Sequence, residues 1–359
     1  MVVGLIHTGE VNLTKWAKYI PCRGQYAQSR QRRIRRWLGN PRINVHRLYK
    51  PIIQAALANW EDECLYVSLD TTQFWDEYCL IRLAVVHRGR ALPLSWRVLR
   101  HSSATVAFSE YHEMLIHAAR YLPKAVKIVL LADRGFIHTD AMEALGQLGW
   151  HYRIRLKSNT WLWRSTGGWI QPTSVHLAAG DVRCFHTVKL HKRQWYGPVH
   201  VIVGRNPLNG ELWVVVSDEP TTLKTLQEYG FRFDIEELFK DEQSSGWNLQ
   251  KSELRSICDL SRLCFILALA TLYVTAQGVV VVEAGKRRWV DTHWFRGNSY
   301  FRIGLDWIHA ALLDGWQLVN RVLFSSNTDP DPAMASRWQH EKRSFQFEFQ
   351  VFTTQFNPD

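Results

Sequence analysis

The order in which the chain switches between two hydrophobic periods is the feature that most constrains its fold. Between residues 61 and 157 three short strand-like runs, Leu65–Asp70, Leu80–Val86 and Ala91–Trp96, come first. A helical pattern over 105–121, an apolar run Lys127–Asp133, a second helical pattern over 140–148 and an alternating run His151–Lys157 follow. Alternation every two residues marks a half-buried strand, and a period near 3.6 marks an amphipathic helix. His87-Arg88-Gly89-Arg90 supplies a turn between the second and third strands. This succession gives three antiparallel strands, then a crossover that returns the fourth strand beside the first and parallel to it. Asp70 and Asp133, each closing an apolar run, then emerge at one edge on neighbouring strands.

A third carboxylate stands in a polar stretch, Tyr229 to Gln243. Positions 229, 232, 236, 240 and 243 are spaced by three or four, so a single helix would line up Tyr229, Arg232, Glu236, Lys240 and Gln243 on one face. The other side, with Phe231, Ile235, Leu238 and Phe239, is the side expected to bury. Taken alone, the stretch reads more readily as a surface helix with a Glu236–Lys240 pair.

Charge is distributed unevenly. Lysine and arginine exceed aspartate and glutamate by 44 − 33 = 11. Residues 1–60 hold eleven of the cations and a single acid, Glu10. Such asymmetry points to an anionic polymer partner. Within it, Gln25 to Asn40 reads as a basic helix carrying Arg30, Arg32, Arg33, Arg35 and Arg36, stopped by Gly39-Asn40-Pro41, with Pro51 opening the next segment. Short basic helices of this kind are expected to contact DNA phosphates, so residues 1–60 are read as an N-terminal helical DNA-binding region.

The six cysteines are scattered without metal-finger spacing, which argues against a zinc module or a disulfide framework and suits a reducing cytoplasm. No basic segment followed by an apolar core opens the chain, so no secretory signal is expected. Leu263 to Val282 lacks charge and is long enough for a bilayer, but it carries Thr271, Thr275, Gln277 and Gly278. It is read as a buried helix running into a strand, with no membrane partner. Residues 61–158 and 216–326 are taken as two parts of one catalytic domain, 159–215 as a β-rich insertion, and 327–359 as a C-terminal tail. An amphipathic helix is expected over 304–323.

Three carboxylates from separated segments are what a two-metal phosphoryl-transfer site requires. Oxygen ligands suit Mg²⁺ or Mn²⁺, and two such ions activate the attacking oxygen and stabilise the leaving one. Arg232, Lys240 and Arg134 are positioned in sequence to bind the flanking phosphates, with a structural ion pair as the competing role.

These residues resemble the cut-and-paste DDE transposases of bacterial insertion sequences, in particular the IS-four-like group with an inserted β domain and a Tyr-(2)-Arg-(3)-Glu-(6)-Lys signature. Tyr229, Arg232 and Glu236 match that signature, and Lys240 stands at a further position the family uses. Ser68-Leu69-Asp70 matches the first motif, and Leu130-Leu-Ala-Asp133-Arg134-Gly135 the second. The likeness spans about residues 25–325. It departs from the pattern at Gln243, where the signature has lysine, so an ionic phosphate contact becomes at best a neutral hydrogen bond. Trp213-Val-Val-Val-Ser-Asp-Glu-Pro220 resembles the segment whose tryptophan stacks in the gap left by a flipped base, although a core tryptophan is an equally good reading.

The resemblance implies an α/β fold built on a ribonuclease H-like mixed five-stranded sheet. It implies Asp70, Asp133 and Glu236 as catalytic and metal-binding residues, with two Mg²⁺ or Mn²⁺ ions per site. The implied partners are double-stranded DNA, as terminal repeats and target, and a second copy of the chain in the synaptic complex. The implied reaction nicks the transposon end, frees it through a hairpin intermediate and joins it to target DNA. A DNA-binding relative with impaired catalysis, favoured only by Gln243, and a stand-alone metal-dependent nuclease of the same fold are the competing readings.

Overall fold

The computed structural model describes residues 1–333 except Asp62, Glu63, Thr166, Arg193, Gln194, Leu208, Ser244 and Ser245, so most of the expected tail lies outside the described residues. In chain order the elements begin with α1 (Val2–Thr8), α2 (Leu13–Trp16), α3 (Ala27–Leu38), α4 (Val45–Ala56), β1 (Cys64–Phe74), β2 (Tyr78–His87), β3 (Arg90–Arg100) and α5 (His112–Ala119). Next come β4 (Lys127–Ala132), α6 (Thr139–Gln147), β5 (His151–Arg155), β6 (Leu162–Arg164), β7 (Gly168–Ile170), β8 (Val182–Leu190), β9 (Tyr196–Arg205) and β10 (Leu212–Ser217). The helices α7 (Leu223–Gly230), α8 (Asp234–Gln243), α9 (Ile257–Glu283) and α10 (Tyr300–Asp314) complete the order. The chain divides into two compact units, the first holding 1–65, 70–126 and 234–333, the second 66–69 and 127–233.

The first unit is built on α9. Ser256 caps its N-terminus by accepting from the Asp259 amide. The uncharged stretch that follows is long enough to cross a bilayer, yet 83% of its most apolar window is buried inside the protein. It stays helical to Glu283, where the sequence suggested a strand, with Val279, Val281 and Val282 also burying along the helix. Leu263, Ile266, Leu267 and Val274 share a core with Leu5 and Trp16 of α1 and α2 and with Ile34 and Leu38 of α3. The basic N-terminal segment is therefore part of this unit's core rather than a separate domain. Pro51 lies inside α4 and does not open it; the cap there is Asn44, which accepts from the Arg47 amide.

β1, β2 and β3 are neighbours in that order. The β1–β2 turn is made by Trp75 and Asp76, both with positive φ, and the β2–β3 turn by Arg88 and Gly89, also both positive. Paired left-handed residues match the right-handed twist of a hairpin. β3 lies at the end of the strand order, where the missing N–H of Pro93 is tolerated. The Pro93 carbonyl accepts from the buried Tyr49 hydroxyl of α4 at 2.5 Å.

In the second unit the order is the Tyr66–Leu69 stretch of β1, then β4, β5, β10, β9, β8, β6 and β7. β5 runs parallel to β4, and β10 pairs antiparallel with β5, Val215 opposite Arg155 and Ser217 opposite Arg153. The insertion expected over 159–215 thus extends the sheet beyond β5. Alternation in a sequence reports which residues bury but not which strand pairs with which, and this is why the continuation was not legible.

α9 and α10 cross at two glycines. A Cβ built on Gly304 would stand 1.8 Å from the Val274 carbonyl oxygen, and one on Gly278 1.9 Å from that of Tyr300. Gly304→Ala is expected to force the helices apart and to cost about 2–3 kcal/mol, whereas Gly146→Ala, with open space at its Cβ, should be near neutral or stabilising. Urea denaturation of both variants checks this.

Candidate active site and its two carboxylate clusters

The polar stretch 229–243 is not one helix. α7 ends at Gly230, a 3₁₀ turn takes up Phe231–Phe233, and α8 begins at Asp234. The single polar face expected for Tyr229, Arg232, Glu236, Lys240 and Gln243 is therefore broken: the first two residues belong to the second unit and the last three to the first. The interruption changes the angular phase of the helix, so spacing across it no longer predicts a common face.

In the first unit α8 is fixed by what its sides can bury. Ile235, Leu238 and Phe239 pack on Ala84 of β2 and Ala91 of β3. Beside them the Arg82 guanidinium and Glu242 carboxylate form an ion pair at 2.5 Å with side chains 0% and 1% exposed. Arg90 reaches Glu237 at 2.9 Å and Asp241 at 3.8 Å. Lys240, mostly exposed, pairs with Glu237 at 2.7 Å. Burial, reinforced by the neighbouring charges of Glu237 and Glu242 against Arg90 and Lys240, pushes the Asp241 carboxyl up to about 6.

Glu236, half-buried, shares a helical face with Gln243 two turns on, about 10 Å along the axis. Gln243 Nε2 donates to Thr72 Oγ1 of β1 at 2.8 Å. Thr72 lies two residues after Asp70 and so on the same side of the strand. This hydrogen bond ties the side of α8 that carries Glu236 to the side of β1 that carries Asp70. Asp70 is not at a strand end, as the apolar run implied, but within β1, which continues to Phe74. Its Oδ1 accepts from the Thr71 amide at 2.8 Å, and the Thr71 hydroxyl donates to the Ala104 carbonyl.

In the second unit the buried run Ile128–Ala132 delivers Asp133, half-buried, to the residue after β4, where it opens the 3₁₀ turn Arg134–Phe136 with Arg134 exposed. Asp133 lies near enough to Tyr229 for its charge to bear on the phenol. Burial pushes that hydroxyl up to about 12, with Asp133 adding to the effect and Arg232 and Arg155 opposing it. Tyr229 and Trp213 form a core with Val182, Ile202, Val215 and Leu226, at 0% and 2% exposure. Both are interior in this conformation. Arg232 is also buried, its guanidinium 4.5 Å from the Phe233 ring centre.

Sequence reasoning missed the charges that brace this unit. Arg153, 5% exposed, donates to Glu228 and Glu219 at 2.8 Å and to Ser217 at 2.9 Å, and the Tyr66 hydroxyl donates to Glu228 at 3.0 Å. Arg153 falls on the polar phase of His151-Tyr-Arg-Ile-Arg, with His151 and Arg155, so the alternation gave no signal of its burial. Nearby, His151, Asp218 and Glu219 bring three possible ligand atoms within 4.8 Å. Lys127 and Arg153 already neutralise Glu219, whose carboxyl they hold down to about 2 against the opposing effect of burial. That group is an ion-pair network. Mg²⁺ and Mn²⁺ prefer hard oxygen ligands, which a group containing His151 matches less well.

The sequence profile of the transposase DDE domain matches residues 73–273. The chain belongs to the transposase DDE domain family. The matched span contains Asp133 and Glu236 and begins three residues after Asp70. No curated protein sequence matches the chain. Among solved structures, a piggyBac transposase synaptic complex with hairpin DNA, determined by cryo-electron microscopy, aligns with 100% of this chain and 77% of its own at 10% identity and a TM-score of 0.41, a likeness too low to weigh. Outside the matched span, Arg32, Arg33, Arg35 and Arg36 stand exposed on α3, with Arg30 half-buried.

Asp241 provides a check on the α8 cluster. Its folded-state value lies above the usual 3.8, so the native state holds this proton longer than the unfolded chain does. Its ionisation therefore lowers stability as pH rises from about 4 to about 6, by up to about 3 kcal/mol. Asp241→Asn is expected to melt progressively higher relative to the parent over that window, and a constant difference between pH 4 and pH 7 in calorimetry would refute the assignment.

Proposed function

We propose that this chain is a DNA transposase that cleaves at transposon ends and joins them to target DNA, with Asp70, Asp133 and Glu236 as its catalytic carboxylates. The observation that carries this reading is the family match over residues 73–273, which includes an aspartate following β4 and a glutamate on α8. Two features of the fold support it. In the second unit the Tyr66–Leu69 stretch of β1 neighbours β4, and Asp70 and Asp133 are the residues that follow Leu69 and β4. In the first unit the Gln243–Thr72 bond relates Glu236 and Asp70 as described above.

Two divalent ions held by these carboxylates would supply an activated oxygen nucleophile and charge neutralisation at the leaving oxygen. The chain's own part is to keep three anionic side chains at fixed positions. Arg134, exposed beside Asp133, and Lys240, exposed on α8, are suited to the phosphates on either side of the scissile bond. Gln243, occupied with Thr72, serves to orient α8 in this reading and leaves phosphate binding to those cations. The exposed arginines of α3 serve double-stranded terminal repeats. A hairpin intermediate, placement in the IS-four-like group and synapsis by two copies of the chain complete the proposal.

Cleavage of labelled duplex carrying the terminal repeats should require Mg²⁺ or Mn²⁺. It should fall by at least about 10³-fold in Asp70→Ala, Asp133→Ala and Glu236→Ala, while duplex affinity changes little. Cleavage that survives all three replacements would remove the site assignment. Independently, reversing Arg32, Arg33 and Arg36 to glutamate should weaken duplex binding and reduce the slope of log affinity against log salt by about 3. An unchanged slope would take α3 out of the interface.

A further inference from the structure

Residues 286–296, between α9 and α10, form an exposed platform of rings and cations that the proposed catalytic site does not use. Trp294, Phe295 and Trp289 are 78%, 67% and 59% exposed. Large aromatic side chains left this open are expensive in water, and here they are held open by design of the loop. Arg287, itself buried, donates to Asp291 Oδ2, to the His293 and Trp294 carbonyls at 2.9 Å, and to Asp331 Oδ2 at 2.8 Å. Arg296, 2% exposed, donates to Asp329 Oδ2 at 2.6 Å and to the Asp331 carbonyl. Two interior guanidiniums thus fix the loop backbone from below. Trp289 is backed by Trp307 and Trp316, at ring-centre distances of 5.9 and 5.3 Å.

Each of the two exposed indoles is paired with an exposed cation. The Arg288 guanidinium lies 4.5 Å from the Trp294 ring centre, and Lys286 Nζ lies 5.3 Å from that of Trp289. The sole carboxylate between 286 and 296 is Asp291, which is buried on Arg287 and His293. The exposed surface of the loop is therefore cationic and aromatic without a compensating acid. A ring that offers a flat apolar face beside a positive charge complements one unit of an unpaired nucleic acid strand, a base beside a phosphate. A second copy of the same surface would bring Lys286 and Arg288 against like charges.

We propose that Trp289 and Trp294, with Lys286 and Arg288, form a stacking platform for unpaired bases of DNA. The platform rests on the reading of the chain as a DNA-acting transposase and names the single-stranded form as the ligand of this surface. The duplex is served by α3. Rings held rigidly at a loop give base-dependent but sequence-tolerant binding, which suits a strand opened during end processing whatever its sequence.

The test measures anisotropy of a labelled deoxythymidine oligomer of about twelve nucleotides, an abasic oligomer of the same length and charge, and a repeat-bearing duplex, all at one salt concentration. The wild-type protein should bind the thymidine oligomer at least about tenfold more tightly than the abasic one. Trp289→Leu/Trp294→Leu should lose that preference, Trp294→Phe should retain most of it, and duplex binding and cleavage by both variants should stay within about twofold. Equal binding of thymidine and abasic oligomers by the wild type would overturn the platform, as would a parallel loss of both in the leucine variant. Sedimentation of the DNA-free protein supplies the remaining arm: a dimer that becomes a monomer in the leucine variant would make the surface a contact between copies and refute the DNA assignment. Because duplex cleavage is read separately, its absence in the wild type would count against the catalytic reading and leave the base-stacking result to stand or fall alone.

Discussion

The arrangement of α8 depends on one buried ion pair, Arg82 with Glu242. Both side chains are almost wholly removed from water, and charges in that position are tolerated only in a geometry that pairs them closely. Hydrophobic contact with Ala84 and Ala91 would let α8 slide or rotate, since apolar attraction has no direction. The ion pair removes that freedom. The Arg82 guanidinium is further placed 5.7 Å from the Trp96 ring centre, so its position is set by the β2–β3 hairpin before α8 meets it. Once Glu242 is fixed, the neighbouring Gln243 meets Thr72, and the facing of Glu236 follows from helix geometry.

The same economy of buried charge recurs in the second unit. Arg153 gathers Glu219 and Glu228 from the chain between β10 and the end of α7. Tyr66 adds a neutral hydrogen bond to Glu228. The end of α7 is held there, so Tyr229 enters the interior and comes into electrostatic reach of Asp133. Arg134, beside Asp133, stays exposed.

The loop between α9 and α10 shows a third use of interior arginine. Arg287 and Arg296 satisfy backbone carbonyls and aspartates that an irregular loop would otherwise leave to water. With its backbone so fixed, the loop presents indoles at the surface without collapsing onto them. In each of the three places a guanidinium, with several donors in a rigid plane, fixes the position of the segment it pairs with.

The amino-acid sequence by itself determined the existence and kind of most elements, because periodicity and breakers are local. The basic helix stops at Gly39, the hairpin turns at Arg88-Gly89, and the run after Lys127 ends at Asp133, as the pattern of residues requires. It also determined which carboxylates were candidates, since they stand beside apolar runs. Four things were decided by tertiary structure alone. Asp70 lies inside β1, the stretch 229–243 breaks at Phe231, β10 extends the sheet beyond β5, and Tyr229 and Trp213 are interior. Each depends on partners distant in the chain, such as a neighbouring strand that prolongs pairing past an aspartate or a core that takes in a tyrosine and a tryptophan. Local sequence carries no term for those partners, so only the folded chain could supply the answer.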